Sequence, residues 1–418
     1  MQQNEIIKQP LRYSLDSAYI PFCEWLTMFL LTRLRRHTAM RQLGKRLEKR
    51  AKAWLYRLLS ASSDATPATP QTLEGVRRVL LVRPNFRIGN ALISARLIQA
   101  LAAGRPDLEI DYLATDTTVS LFAGMPLTHC HALGRDMLAR PWKLAALWRT
   151  LRRRRYDLAI QVADTSLTGR LCLKAAGARR TLGADSRLAG LYDQVYRLPP
   201  GHNHVYDVAA AIARTLGLAC EARPWMTISD AERTRATTGL RQLADEPFEV
   251  GVFVGGHLDK RLPLDFWLAL CDELNARGRR FMVLIGPEET AMRPALEAHR
   301  GPHGCVAPAM GLRDFAATLA QLPRLITPDT GPMHMAVALD VPVTAVLNTA
   351  LSRKFAPRGG ADRVLLSPSP AQVVATLDGT APHAPKLQGM TFTRISRKAD
   401  EPSTRMAVRR APAAWTAR

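Results

Sequence analysis

The run from Asp329 to His334 combines residue types that could bind an anion. It reads Asp-Thr-Gly-Pro-Met-His and follows an apolar stretch that ends at Thr327. Pro332 suits the first turn of a helix, so the run predicts a helix that begins at Gly331. The free N–H groups and partial positive charge of a helix start form a binding site for phosphate. His334 could reach the same anion. Asp and Thr are also ordinary helix caps, and that alternative stays open.

A second loop, from Gly255 to Pro263, follows another apolar stretch and carries two glycines and two cations. Gly255 and Gly256 would let the backbone approach a ligand closely. Lys260 and Arg261 could neutralise the diphosphate of a leaving group without a metal ion. A basic surface loop is the alternative interpretation.

Two acidic residues, Glu288 and Glu289, follow the next apolar stretch, which ends at Ile285. A carboxylate after a strand can accept hydrogen bonds from ribose hydroxyls, as it does in dinucleotide-binding folds. Acidic residues are also favoured at solvated helix starts, and that alternative interpretation fits Glu288 and Glu289 equally well.

The polar loop from Arg83 to Asn90 lies between an apolar stretch and a helical pattern. It has one glycine, Gly89, so it is neither the three-glycine dinucleotide fingerprint nor a Walker phosphate loop. We expect Arg83, Arg87 and Asn90 to face a ligand cleft. The alternative is an ordinary loop that joins a strand to a helix and binds no ligand.

These loops need a parallel sheet to bring them together, and the chain alternates short apolar runs with helical patterns in two successive series. Two such series predict two doubly wound α/β domains that face a cleft. The predicted strands are 78–83, 110–114, 158–162, 250–254, 281–285, 324–327 and 341–347. The predicted helices are 89–103, 142–155, 264–277, 312–322 and one that begins at Gly331.

The domain organisation follows from composition along the 418 residues. Residues 1–61 form a basic amphipathic helical pattern, and 62–75 are a linker rich in Ser, Thr and Pro. The first domain is expected over 76–240 and the second over 241–380. The basic tail, 381–418, has few clustered apolar residues and is predicted to be disordered.

Charge and cysteine usage narrow the function classes. The net charge of +22 favours polyanionic partners such as a phosphorylated substrate or an anionic membrane surface. Six widely spaced cysteines indicate neither a disulfide framework nor a zinc site. No stretch is apolar enough for a signal peptide or a membrane crossing, so a cytoplasmic protein is expected. No serine-hydrolase elbow, zinc-protease motif, calcium loop or Asp-x-Asp metal pair is present.

Taken in order, these segments resemble the heptosyltransferase family of lipopolysaccharide assembly, glycosyltransferase family 9. The resemblance covers about residues 76–350 and is strongest at Asp329–Ala336. It extends through six further segments: Arg83–Asn90, Tyr156–Leu158, Gly177–Gly183, His204–Asp207, Gly255–Pro263 and Gly286–Glu289.

The resemblance implies a GT-B fold and an inverting transfer that uses neither a cofactor nor a metal ion. The donor would be a nucleotide-sugar such as ADP-heptose, held by the second domain. Lys260 would neutralise its diphosphate, and Glu289, or less well Glu288, would bind its ribose. The phosphate and sugar would contact four residues: Asp329, Thr330, Gly331 and His334. The acceptor would be a phosphorylated glycolipid at the inner face of the inner membrane, contacted by the first domain through Arg83 and Arg87.

Asn90 departs from the family pattern, in which an aspartate, the presumed general base, follows Ile-Gly. An amide does not accept a proton near neutral pH, although inverting transfer needs a base for the acceptor hydroxyl. Asp164 and His257 are the substitute candidates, with Asp185 on weaker grounds. A nucleotide-sugar-binding pseudoenzyme or assembly partner is therefore the competing hypothesis. A nucleic-acid-binding protein is a third, but no readout motif supports it, and no nucleic-acid partner is expected.

Overall fold

A computed structural model describes residues 73–138, 140–162, 167–185, 192–256 and 260–378 of the protein. The predicted helical extension, almost all of the linker and the predicted basic tail lie outside these ranges. Asp164 and His257, two of the three candidate bases, also lie outside the described residues.

The first sheet has six parallel strands, and its central strands are apolar segments buried between helices. Its spatial order is β3-β2-β1-β4-β5-β6. The strands are β1 (Arg78–Val82), β2 (Glu109–Thr115), β3 (His129–Leu133), β4 (Leu158–Gln161), β5 (Arg180–Ala184) and β6 (Gln194–Tyr196).

The second sheet repeats this topology with the order β12-β11-β10-β7-β8-β9, again all parallel. Counted from its own first strand, this is the same order as in the first sheet. The strands are β7 (Val250–Val254), β8 (Phe281–Ile285), β9 (Gly304–Val306), β10 (Leu325–Thr327), β11 (Val343–Leu347) and β12 (Arg363–Leu366).

Helices cover the faces of both sheets. They are α1 (Ile88–Gly104), α2 (Pro141–Arg153), α3 (Leu167–Ala176), α4 (Asp207–Thr215), α5 (Asp230–Leu243), α6 (Leu264–Ala276), α7 (Arg293–His299), α8 (Leu312–Leu319), α9 (Gly331–Ala338) and α10 (Pro370–Ala375). No helix among the described residues is both long and apolar enough to cross a bilayer.

The two halves are joined by a helix-to-helix contact between α1 and α9, where the first turns of both helices meet. A methyl group on Gly89 would lie 2.3 Å from Cδ2 of His334, and one on Gly331 would lie 3.0 Å from Cβ of Ile88. Both glycines are therefore needed for this approach. The largest apolar cluster runs from β1 of the first sheet to β10 of the second.

The predicted α/β architecture is confirmed, with element ends that differ by one to three residues. The strand predicted over 341–347 begins at Val343, and the helix predicted to reach 322 ends at Leu319. The structure adds strands β3, β5, β6, β9 and β12, which are short or only partly buried. It also adds α5 before β7, where Ser229 and Glu232 form a capping box.

Candidate functional site

The loops that carry the predicted site follow the strands at which each sheet reverses its order. In the first sheet these strands are β1 and β4, and in the second they are β7 and β10. Ligands of doubly wound sheets bind beyond the carboxyl ends of such strands. Arg83–Asn90 follows β1, Gly255–Lys260 follows β7 and Asp329–His334 follows β10. The topology therefore brings together loops that lie up to 250 residues apart in the chain.

Lys260 and Asp329 form the ion pair at the centre of the second half's edge. Lys260 Nζ lies 2.6 Å from Asp329 Oδ2, with 26% of the lysine side chain and 4% of the aspartate side chain exposed. The same ammonium lies 4.7 Å from the ring centroid of Phe355. A buried carboxylate and an aromatic face thus hold one cation at the rim of the site.

The start of α9 leaves its backbone donors without a side-chain cap. Thr330 occupies the N-cap position, yet its side chain makes no capping hydrogen bond to the helix. Its hydroxyl instead donates to the Pro328 carbonyl at 3.2 Å and lies 3.1 Å from Oγ1 of Thr327. The first N–H groups of the helix are therefore available to an anion, as P-loop-like helix starts require.

His334 is buried in the first turn of α9, between the two halves. Its Nδ1 lies 2.8 Å from the hydroxyl of Tyr206, and the side with Cδ2 and Nε2 packs on Gly89. Burial lowers the pKa of His334 to about 4, with Asp329 opposing and Lys260 adding to the shift. The ring is therefore neutral at pH 7. When Tyr206 donates to Nδ1, the ring proton lies on Nε2 and faces the first half.

Glu289 is the buried carboxylate beside the glycine loop. Its Oε1 accepts from the backbone N–H of Gly256 at 3.3 Å and from Arg261 at 3.1 Å. A methyl group on Gly286 would lie 2.6 Å from Oε2, so glycine is needed there to admit the carboxylate. Burial raises the pKa of Glu289. Gly255 lies on the same side, with Oε2 at 3.2 Å from a methyl group placed on it.

The first half contributes the loop between β1 and α1. Asn90 is half-buried in the first turn of α1, directly after the Gly89 that touches His334. Arg87 is exposed, and its backbone N–H donates to Asn85 Oδ1 at 2.8 Å. Arg83 is half-buried, close enough to Tyr112 for its charge to oppose the burial that raises the pKa of that phenol. The structure thus brings Asn90 to the site, leaves Arg87 at its rim and packs Arg83 towards the first core.

Asp185 is the third candidate base, and the structure gives it a different partner. It follows β5, next to β4 in the sheet, and its Oδ2 accepts from Arg197 Nε at 2.6 Å. The carboxylate is therefore engaged in an exposed ion pair.

Tyr206 and Phe355 were not predicted as site residues. Tyr206 lies 128 positions before His334, and no local pattern connects the two. In the sequence, the segment His204–Asp207 is only one of the segments that resemble the family, with no predicted role. In the structure it is fixed to the second half, because Asp207 accepts from Arg358 at 2.7 Å and His204 Nε2 lies 2.8 Å from the Ala356 carbonyl.

This arrangement can hold an anion at one edge and an uncharged nucleophile at the other. A helix start and an ammonium group stabilise the negative charge that develops on a departing phosphate. Within the described ranges, no cluster of three or more His, Cys, Asp or Glu side chains has the placement of a metal site.

Comparisons with known proteins identify the fold and the family. The family model for glycosyltransferase family 9 (heptosyltransferase) matches residues 144–375. The chain is 27% identical over 289 residues to lipopolysaccharide heptosyltransferase 1 of Pseudomonas aeruginosa, covering 64% of this chain and 78% of that protein.

Solved structures agree. A family 9 glycosyltransferase from Veillonella parvula superimposes with a TM-score of 0.65 at 17% identity, over 76% of this chain and 99% of that one. Escherichia coli heptosyltransferase WaaC with ADP-2-deoxy-2-fluoro heptose gives a TM-score of 0.56 at 20% identity, over 72% and 99%.

The family match covers more than half of the chain, and the solved structures share its fold. The protein therefore has the GT-B fold, is a glycosyltransferase, and belongs to glycosyltransferase family 9, the heptosyltransferase family.

Proposed function

We propose that the protein transfers heptose from ADP-heptose to a phosphorylated, lipopolysaccharide-core-like glycolipid, with inversion at the anomeric carbon and without a metal ion. The relatives support the donor and the acceptor. One is named a lipopolysaccharide heptosyltransferase, and another was solved with an ADP-heptose analogue. The observation that carries the proposal is the Lys260–Asp329 pair beside the uncapped start of α9.

In this proposal the second domain, 241–380, holds the donor. The diphosphate lies against the N–H groups of Gly331 and Met333, since Pro332 between them has none, and it draws the Lys260 ammonium away from Asp329. As the bond from the anomeric carbon to the diphosphate oxygen breaks, Lys260 and the helix start stabilise the charge on ADP. Glu289, with Gly255 and Gly256 beside it, accepts hydrogen bonds from the ribose.

The first domain, 76–240, holds the acceptor. The hydroxyl of the acceptor attacks the anomeric carbon from the face opposite the diphosphate and loses its proton to a base. Asn90 is placed to orient that hydroxyl, and its amide oxygen accepts a hydrogen bond without taking the proton. Asp164 or His257, in the loops after β4 and β7, supplies the base. Arg87 contacts a phosphate of the acceptor at the rim, with Arg83 behind it.

A nucleotide-sugar-binding protein without turnover is the second candidate, and Asn90 is the observation that favours it. Such a protein would bind the donor at the same residues of the second domain. Asn90→Asp separates the two candidates, because it restores the carboxylate of the family pattern. Transfer that appears only in that variant would establish a protein without its own base.

The reaction would take place on the cytoplasmic side of the inner membrane, where nucleotide-sugars are available. The basic extension before residue 61 and the net charge of +22 support a peripheral position on an anionic surface.

Donor binding and transfer test the proposal together. Purified protein is titrated with ADP-heptose in a calorimeter, with GDP-, UDP- and ADP-hexoses as controls, and transfer is followed on a heptose-free lipopolysaccharide core. We expect Lys260→Ala to lower the transfer rate by about 100-fold or more, the usual effect of removing one charge-stabilising donor. Lys354→Ala is the matched control. Its ammonium lies 5.1 Å from the ring centroid of the same Phe355 but forms no ion pair with Asp329.

Selective binding of ADP-heptose that survives Lys354→Ala and weakens in Lys260→Ala supports the proposed site. Binding of no nucleotide-sugar, or equal losses in the two lysine variants, would contradict it.

A further inference from the structure

Helix α2 (Pro141–Arg153) presents an outer face that combines one aromatic side chain with arginines. Trp142 is 64% exposed. Arg149 and Arg153 follow at spacings of seven and four residues, so the three side chains lie along one line of the helix, here called the α2 stripe. Both arginines are exposed.

The opposite face of α2 packs against the first sheet, and the α2 stripe takes no part in that packing. Leu151 is buried, and Leu147 and Trp148 pack against the apolar cluster of the first sheet. Trp142 lies outside this packing, so its exposed ring is available to an external surface.

The charge on this face of α2 is positive throughout. The sequence of α2 contains no Asp or Glu. No carboxylate among the described residues forms an ion pair with Arg149 or Arg153, and the Nε of Arg149 is directed to the Ala145 carbonyl of its own helix. These positive charges are therefore available to an external anionic surface.

The α2 stripe also adjoins the proposed acceptor edge. Before α2, a short 3-10 turn, Arg135–Leu138, follows β3 at the carboxyl edge of the first sheet. The guanidinium of Arg135 lies over the ring of Phe86, 4.4 Å from its centroid. Phe86 directly precedes Arg87, the residue proposed to contact the acceptor. A surface that covers Trp142 thus reaches the side on which α1 begins.

We propose that the α2 stripe docks the protein on an anionic phospholipid bilayer, with Trp142 at the headgroup level and Arg149 and Arg153 on lipid phosphates. Tryptophan is typical of membrane–water interfaces, and basic residues gain affinity from the negative surface potential. The docking is inferred from the exposed residues of α2 alone. Its benefit for a lipid-linked acceptor rests on the proposed function.

Other occupants fit less well. The N-terminal extension is basic at Lys45, Arg46 and Lys49, so it would be repelled by the α2 stripe, as would the same face of a second copy. A nucleic acid would match the charge, but the α2 stripe offers one aromatic ring and no series of rings on which bases could stack. Nucleic acid is therefore the alternative that the experiment must separate.

The test is partitioning of the full chain onto sedimented vesicles, with no sugar nucleotide present. Vesicles of phosphatidylcholine with about 30% phosphatidylglycerol, which carry a negative surface potential, are compared with vesicles of pure phosphatidylcholine. Removing two arginine charges, in Arg149→Gln/Arg153→Gln, should weaken partitioning about 25-fold, because each basic residue contributes about fivefold. Trp142→Ala should weaken it roughly tenfold, from lost apolar burial.

The matched control is Arg233→Gln/Arg241→Gln. It removes the same charge from exposed positions on α5 and should leave partitioning within about twofold, since charge that does not face the lipid gains little from its potential. Equal losses in the two double variants would overturn the proposal, because they would show an effect of net charge alone.

Two further results complete the test. The first is affinity for a duplex oligonucleotide. If Arg149→Gln/Arg153→Gln lowers that affinity but leaves vesicle partitioning unchanged, the bilayer is not the occupant of the α2 stripe. Donor titration in the absence of vesicles should be unchanged in Arg149→Gln/Arg153→Gln, which separates failure of docking from failure of the proposed transfer.

Discussion

The carboxyl edges of the two sheets share one strand order but hold their polar side chains differently. In the second half, Lys260 is paired with Asp329, and Glu289 accepts from Gly256 and Arg261. The two carboxylates are buried and already oriented by these partners. In the first half, Arg87 is exposed.

This difference separates two tasks. A diphosphate that must leave with its charge stabilised needs oriented donors before the reaction begins, because reorganisation would cost part of the rate. An acceptor displayed on a large glycolipid needs an open edge. The second half therefore fits a donor site and the first half an acceptor site, and the following variants test that division.

Among these variants, the largest effect is expected where the two edges touch. Gly89→Ala places a methyl group 2.3 Å from Cδ2 of His334, so α1 or the imidazole must move. Misplacement by about 1 Å can cost 100-fold in rate, and we expect a transfer rate lower by about that factor. Steady-state kinetics on ADP-heptose measure it.

Gly239→Ala is the control for that variant. Gly239 lies in α5 with no neighbouring atom within 4 Å of the added methyl group. The change should raise the free energy of unfolding by up to about 1 kcal/mol and leave the rate unchanged. Full activity in Gly89→Ala would show that contact between the halves does not position the reaction.

The donor side is tested next through Glu289→Gln. The substitution keeps the size of the side chain but replaces charge-assisted hydrogen bonds, which contribute about 1.5–3 kcal/mol each. We expect the Kd for ADP-heptose to rise about tenfold or more, measured by calorimetry. Glu288→Gln is the matched control, because its side chain is exposed and should leave the Kd unchanged. The opposite ranking of these variants would assign ribose binding to Glu288.

A smaller effect is expected for Tyr206→Phe, which removes the hydroxyl 2.8 Å from His334 Nδ1. A buried polar group left without its partner costs about 1–3 kcal/mol. The free energy of unfolding should fall by that amount, and the transfer rate should fall about tenfold as the imidazole loses its orientation.

Tyr156→Phe is the comparison for that loss. Its hydroxyl donates to Asp111 at 2.7 Å, in a buried cluster away from the site. This variant should lose comparable stability at full transfer rate. If both tyrosine variants keep full activity, Tyr206 has only a structural role.

The smallest and most gradual effect is the response to pH. Burial holds the pKa of His334 near 4 and that of His204 near 3, below the ordinary histidine value of 6.5. The unfolded chain then binds more protons between pH 6.5 and 4, so stability falls as the pH drops through that window. Denaturant unfolding at pH 7 and pH 4.5 measures it. His334→Asn should reduce the loss, because it removes the buried imidazole.

The sequence predicted the fold through its periodicity, because β1, β7, β8 and β10 are apolar runs that parallel sheets bury on both faces. The half-buried strand β3, with His129 and His131, has no such run, and β9 and β12 are also mostly half-buried, unlike the fully buried β10. Their existence depends on neighbours in the sheet rather than on local sequence.

Parts of the site were predictable for the same reason. Each loop with chemical residues follows a strand, and parallel strands end at one edge, so Asp329 and Lys260 could be expected to lie close together. The Tyr206–His334 contact and the packing of His334 on Gly89 depend on how the two halves meet. No spacing within either half encodes that arrangement.

The central claim is that the donor diphosphate binds the start of α9. Its most direct measurement is a titration of isotope-labelled protein with ADP-heptose, followed by nuclear magnetic resonance at the backbone N–H of Gly331 and the ring nitrogens of His334. We predict that the Gly331 signal shifts and saturates with the Kd found by calorimetry, while Gly239 in α5 stays unchanged. Saturable binding of ADP-heptose that leaves the Gly331 signal unmoved would contradict the account, because the diphosphate would then be bound elsewhere.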